Sequence, residues 1–198
     1  MKNSLIICAA LFMTFFVNCK KEVEPEVQKT QTVNLQIDGY TEGGDKNFIQ
    51  TVLVGEEVAI TLGPVSNTFQ ITSVDLLFGG TGNNSVTRNI ILKIYKDNGT
   101  VDPGDLLFSS DYTIASSLTV IHKIDISDEN VKVSGGGSIR ISFEITDEIG
   151  FPSFAQEYDG EYFITKNWIK EPNGTWKSND TFGLNGNWVI RTVVKENI

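Results

Sequence analysis

Two cysteines, two methionines and a single histidine are spread over 198 residues, and that scarcity removes several chemistries at once. A zinc centre built from cysteine and histidine needs about four such ligands, and a nucleophilic serine needs a base held beside it. The lone His122 shares, by alternation, the face of Val120, Ile124 and Ile126, so it reads as a half-buried core residue rather than a base in a cleft. No Gly-x-Ser-x-Gly elbow is present. Gly135-Gly136-Gly137-Ser138 has neither the lysine nor the following helix of a phosphate loop, and it reads as a hairpin turn. Paired carboxylates of the glycosidase kind meet only in space, so they stay open at this level. Positive charge is short too, with 16 Lys and Arg against 25 Asp and Glu and a net charge of -9. Such a surface repels nucleic-acid phosphates and adds no electrostatic contact with anionic lipid. Finally, no segment of helical length carries a 3.6-residue apolar stripe.

What is there begins at the amino terminus. Met1-Lys2-Asn3 is followed by a 13-residue apolar run, Leu5 to Val17, and then by Asn18-Cys19-Lys20-Lys21. A spanning helix needs roughly 20 apolar residues, so the run has the length of an export signal instead. The segment around Cys19 resembles the lipobox of bacterial lipoproteins in its relaxed, spirochaetal form, with Phe16 and Asn18 where the common pattern has Leu and a small residue. That resemblance implies cleavage before Cys19, acylation of Cys19, and a bacterial chain anchored by its lipid at the cell envelope, on the outer membrane. The alternative is a plain thiol following a secretory signal. Cys8, preceded by Ile7, leaves too little apolar chain to serve instead. Residues 1–18 are then the signal peptide, 19–31 a charged flexible tether, and 32–198 one folded domain. Without a second cysteine the mature chain has no intrachain disulfide, and its stability rests on an apolar core.

The rest predicts strands. Ile90, Leu92 and Ile94 alternate with other side chains, and Ile139, Ile141, Phe143 and Ile145 alternate with Arg140, Ser142 and Glu144, as in a sheet with one wet face. Val33 to Ile37, Phe48 to Val54, Val58 to Leu62, Ile71 to Phe78, Leu106 to Ile114, Val120 to Ile126 and Trp188 to Val194 read alike. Glycine-rich turns separate them, notably Gly43-Gly44, Gly79-Gly80-Thr81-Gly82 and Asp97-Asn98-Gly99. This pattern predicts an all-β, antiparallel two-sheet β-sandwich of jelly-roll type. The order from Phe69-Gln70-Ile71, through Ile90 to Gly99, Asp102-Pro103-Gly104-Asp105, Ile124-Asp125-Ile126 and Ser138 to Phe143, to Asn187 to Val194 resembles secreted bacterial jelly-roll modules of the choice-of-anchor type. The resemblance implies a fold and a surface setting, and no reaction.

Two segments offer ligand chemistry. Asp97, Asn98, Asp102 and Asp105 crowd one glycine-bearing loop, where a hard cation such as Ca2+ would find oxygen ligands. Their spacing is not that of an EF-hand, and the preferred reading is a strand connection with Asx turns. From Asp147 to Gly186, Phe151, Phe154, Tyr158, Tyr162, Phe163, Trp168, Trp176 and Phe182 gather among glycines and prolines. Loops presenting such rings would stack sugars, with Asp159, Glu161 and Asn167 bonding hydroxyls; the competing reading closes the end of the sandwich with them. Trp176 and Tyr158 are the rings expected to be exposed, and Trp188 is expected in the core. The sequence therefore favours a non-catalytic surface module recognising glycan or extracellular protein. The alternatives are a structural envelope protein assembling through an apolar edge such as Val189 to Val194, and an unrecognised hydrolase.

Overall fold

The structure is a computed structural model that describes residues 29–41, 47–49, 53–79, 87–117, 119–146 and 153–198. The signal peptide, Cys19, most of the tether, Phe151 and the turns at Gly43-Gly44 and Gly80 to Asn84 lie outside the described residues. In chain order the strands are β1 (Thr30–Leu35), β2 (Asn47–Ile49), β3 (Glu57–Val65), β4 (Phe69–Leu76), β5 (Phe78–Gly79), β6 (Thr87–Asp97), β7 (Leu106–Ala115) and β8 (His122–Asp125). After a 3-10 turn at Ser127–Glu129 come β9 (Lys132–Val133), β10 (Gly137–Ile145), β11 (Ser153–Glu157), β12 (Asn167–Lys170) and β13 (Trp176–Ser178). A second turn, Asn179–Phe182, precedes β14 (Asn187–Trp188) and β15 (Ile190–Asn197).

The fold is an antiparallel β-sandwich, as the alternation predicts. One layer has the order β13-β12-β3-β10-β6-β7; the other is β1-β15-β4-β8, with β9 also on β4. A small sheet of β14, β11 and β2, with β5, continues the second layer. The join is made by three residues: Leu77 N–H donates to Val189 O (3.0 Å), Val189 N–H to Ala155 O (3.0 Å) and Ala155 N–H to Leu77 O (3.2 Å). Alternate residues supply the core. Val58, Ile60 and Leu62 of β3, Ile90, Leu92 and Ile94 of β6, and Ile139, Ile141 and Phe143 of β10 are buried against Phe69, Ile71, Trp188, Ile190 and Val194 of the other layer. Each such side chain contributes about 1.5–3 kcal/mol by leaving water.

Several expectations need correction. β1 begins at Thr30, paired with Asn197, so the last two residues assigned to the tether belong to the sheet. Residues 192–194 of β15 pair with β1 on one side and β4 on the other, and Ile190 and Arg191 pair with β4, so most of the supposed apolar edge is enclosed. Gly135 to Gly137 do not close a hairpin but carry the chain from β9 in one layer to β10 in the other. Glycine is required there: Gly136 has φ +75°, and a Cβ would sit 2.5 Å from Val65 O and 2.6 Å from Ser66 O. The aromatic stretch is not all loop, because β12 and β13 pair as a hairpin around Pro172-Asn173-Gly174. His122 is half-buried beside buried Ile124 and Ile126, and burial holds its pKa below the usual imidazole value.

Candidate functional site: a polar core and the cleft beside it

The outer face of the six-stranded sheet departs furthest from expectation. Register stacks its outward residues in rows: Lys170, Glu57 and Glu144, then Trp168, Ala59, Ser142 and Lys93, then Thr61, Arg140 and Tyr95. A wet face predicts exposed polar groups. Instead Glu57, Arg140 and Ser142 are each 0% exposed. Their cover is aromatic, since Trp168 and Trp176 (7% and 6% exposed) and Tyr95 pack over Ala59.

Glu57 is the centre of one cluster. Its Oε1 accepts from Lys93 Nζ and Lys170 Nζ, both at 2.7 Å, and its Oε2 from Ser142 Oγ (2.8 Å) and Tyr95 Oη (3.3 Å). Lys93 also donates to Glu144. Burial alone would raise the Glu57 pKa, but the bonds from Lys170, Lys93 and Ser142 outweigh it and hold the carboxyl below its usual value. The Lys93 ammonium is opposed by burial and held above its normal range by Glu144 and Glu57. Tyr95, buried beside the Glu57 charge, is pushed up to about 12.

Arg140 is the centre of the other. Its guanidinium lies 4.2 Å from the centroid of Trp168 and 5.3 Å from that of Trp176, a desolvated cation-π arrangement. It donates to the carbonyl oxygens of Thr100 (2.8 Å) and Val101 (2.5 Å) and stands 3.5 Å from the Asp97 carboxylate. Trp168 Nε1 donates to Thr61 Oγ1 (3.0 Å), whose hydroxyl donates to Asp97. The connection between β6 and β7 is thereby fastened over the sheet by an internal cation.

This geometry is the strand connection with Asx turns that the sequence favours over a calcium loop. Asp97 is taken by Arg140, Thr61 and the Gly99 amide (2.8 Å), and Asn98 Oδ1 by the Thr100 amide (3.1 Å) and hydroxyl (2.7 Å). Asp102 and Asp105 are exposed, and among the described residues no group of three or more His, Cys, Asp or Glu side chains gathers.

The aromatic platform, by contrast, is corrected. Trp168 and Trp176 are buried on the sheet, whereas Tyr158 and Tyr162 are half-buried elsewhere, with Tyr158 Oη donating to Gln156 Oε1 (2.7 Å). Burial raises the pKa of both tyrosines. Asn167 is fully buried; its amide donates to Phe163 O (3.0 Å) and Asn187 Oδ1 (2.9 Å), and its Oδ1 accepts from Trp188 N–H (2.9 Å). It fixes the strand ends, leaving Asp159 and Glu161 as exposed carboxylates of the set. Trp188 is in the core at 0% exposure.

Beside this polar core opens a cleft of about 210 Å³, lined by Thr61, Asp97, Gly99, Ser138, Thr165, Lys166 and Trp168. Lys166 is fixed by its backbone, whose carbonyl accepts from Thr61 N–H (2.7 Å), and by Nζ donating to Gly63 O (3.2 Å). The cleft thus has the edge of an indole and the committed Asp97 and Thr61 as its floor, and offers the hydroxyls of Ser138 and Thr165 and the Lys166 ammonium. Of these residues only Trp168 and Asp97 stand out in the sequence. The Asn173-Gly174 turn between Trp168 and Trp176 was the available sign that both rings belong to a hairpin on the sheet.

No family model and no curated protein matches the chain. Two solved structures share its fold. One comprises the cysteine protease and lectin-like domains of Cwp84, a surface layer associated protein of Clostridium difficile, with a TM-score of 0.58 at 13% identity over 84% of this chain and 36% of that one. The other is the clostridial protease Cwp84 after propeptide cleavage, with a TM-score of 0.56 at 14% identity over 85% and 40%. This chain therefore spans well under half the length of either. The matched part is the lectin-like domain and not the protease domain, which fits the sandwich class.

Proposed function

We propose that this chain is a bacterial envelope lipoprotein, acylated on Cys19 and held at the outer membrane, whose sandwich binds a glycan without catalysis in the cleft beside Trp168. The cleft lining carries the reading. Sugar C–H groups pack on the small part of the Trp168 indole that reaches the cleft, while Ser138, Thr165 and Lys166 offer acceptors and donors for hydroxyls; Asp97 and Thr61, already bonded to each other, to Arg140 and to Trp168, shape the floor. At about 210 Å³ the site is below the 300–1,000 Å³ of drug-sized pockets, so it suits a single ring of a longer chain. A scaffold shared with a lectin-like domain supports the reading at the level of fold. The hydrolase alternative is weaker, because Glu57 and Glu144, the carboxylates adjacent on this face, share Lys93 as counter-ion, and a carboxylate so committed is a poor proton carrier. The assembly alternative loses most of its apolar edge with the enclosure of β15.

A glycan array probed with the chain from Lys20 onward tests the site. Saturable binding is expected, weakened about tenfold or more by Lys166→Ala at unchanged melting temperature; a folded domain with no saturable glycan binding contradicts it. Acyl labelling in the native host tests the anchor. Label that disappears in Cys19→Ser is the expected result, and an unlabelled wild-type chain contradicts it.

A further inference from the structure

A second cleft, about 200 Å³, opens where the chain enters the sandwich, lined by Thr30, Thr68, Gln70, Lys132, Lys195 and Asn197 around Phe69. Strand register explains the grouping. Lys132 of β9 and Lys195 of β15 both lie opposite Gln70 of β4, one on each side. With strands about 4.8 Å apart, the two lysine backbones stand roughly 10 Å from each other, and long side chains from both reach one anion between them. No carboxylate lines this cleft, although the chain carries 25 acidic and 16 basic side chains. Glu196, next to Lys195, is held away by Gln31 Nε2 (2.7 Å) and by the Asn67 amide (3.0 Å).

Five buried or half-buried cations elsewhere have acids, whereas Lys132 and Lys195 are exposed. Lys93, Lys170, Lys177, Arg140 and Arg191 each pair with a carboxylate, whereas neither Lys132 nor Lys195 enters an ion pair among the described residues. Two ammonium groups lining one cleft add their fields at a single anion placed between them. The surrounding Thr30 hydroxyl and Asn197 amide are donors of the kind phosphate oxygens accept. The cleft is a local exception on an acidic surface.

We propose that Lys132 and Lys195 clamp a phosphate group. Position indicates the source. Thr30 opens β1, and if Cys19 is acylated only residues 19–29 separate it from the lipid, a length of chain that can reach at most about 40 Å. This end of the domain then faces the headgroups, whose phosphates are present at high effective concentration. The source rests on acylation of Cys19, but the clamp does not.

The chain from Lys20 onward contains every described strand, Thr30 through Asn197, and serves as the probe protein. It is titrated with inorganic phosphate, followed by the side-chain resonances of the two lysines, and with phosphatidylglycerol vesicles, followed by flotation. The expected results are a saturable shift at both lysines and vesicle binding weakened about thirtyfold in K132Q/K195Q, roughly fivefold for each lysine near an anionic surface. K123Q, on the same sheet but outside the cleft, is expected to leave both unchanged. A response to phosphate without vesicle binding keeps the clamp and assigns it a soluble phosphate. No saturable response to either probe, or equal binding by wild type and K132Q/K195Q, overturns the proposal. An unlabelled Cys19 with an intact phosphate response sinks the anchor alone.

Discussion

The two faces of the six-stranded sheet are made by the same strands and are both buried, yet by opposite chemistry. Inward, Ile60, Ile94 and Ile141 stand in register and lose only apolar surface to the core. Outward, at alternate positions of β3 and β10, Glu57, Arg140 and Ser142 are equally closed off, and each depends on a partner that removes its desolvation cost. The inner face therefore tolerates loss in proportion to volume, whereas the outer face fails when one member of a pair is removed. The outer face also aims side chains: Arg140 fastens the β6 to β7 connection, and that connection forms part of the cleft.

The largest effects sharpen this comparison directly. Phe154 meets Phe78 at 5.0 Å, Phe143 at 6.2 Å and Trp188 at 6.3 Å between ring centroids, so Phe154→Ala should cost about 3–5 kcal/mol in denaturant unfolding. Glu57→Ala leaves Lys93 and Lys170 without their shared carboxylate, and it should cost a similar amount, about 3–5 kcal/mol. A loss below about 1 kcal/mol would mean that the outer face behaves as solvated surface. Next is Arg140→Lys, which keeps the charge but loses the planar fork that spans Thr100 O, Val101 O and two indoles. About 1–3 kcal/mol is expected, together with weakened glycan binding as the cleft loosens.

Acid titration separates the faces further. Glu57 has a folded pKa below its ordinary 4.5, so its contribution is present above that value and is lost as pH falls through the folded pKa. Glu57→Gln should therefore be less stable than wild type at neutral pH and approach it at low pH. The smallest effect belongs to His122, whose pKa is held below 6.5 by burial. A depressed histidine stabilises above its unfolded value and loses that contribution as pH falls through the folded one. His122→Phe should flatten the stability profile just below pH 6.5, and an unchanged slope would count against its burial.

Sandwich, strand positions and inner core were legible because alternation over seven or more residues is a strong signal, as in Ser138 to Ile145. The outer core was not. Nothing in the period distinguishes Arg140 facing water from Arg140 facing two tryptophans, since the covering rings arrive from a hairpin about 30 residues later in the chain. That hairpin was itself obscured, because β12 and β13 have only four and three residues. Of the candidate site, Trp168 was named for the right chemistry and the wrong exposure, and Asp97 for a metal where an arginine serves. Lys166 and Ser138 carry no sequence signal, since they meet Asp97 only through strand register and a turn.

The most direct test of a second, polar core is acrylamide quenching of the native fluorescence, because Trp168, Trp176 and Trp188 are the chain's three tryptophans and all are buried. The account predicts that all three are shielded in the folded domain and become accessible together on unfolding. Quenching of one or two of them at the rate of free indole in the native state would show the rings standing in solvent, and the polar core would not exist as described.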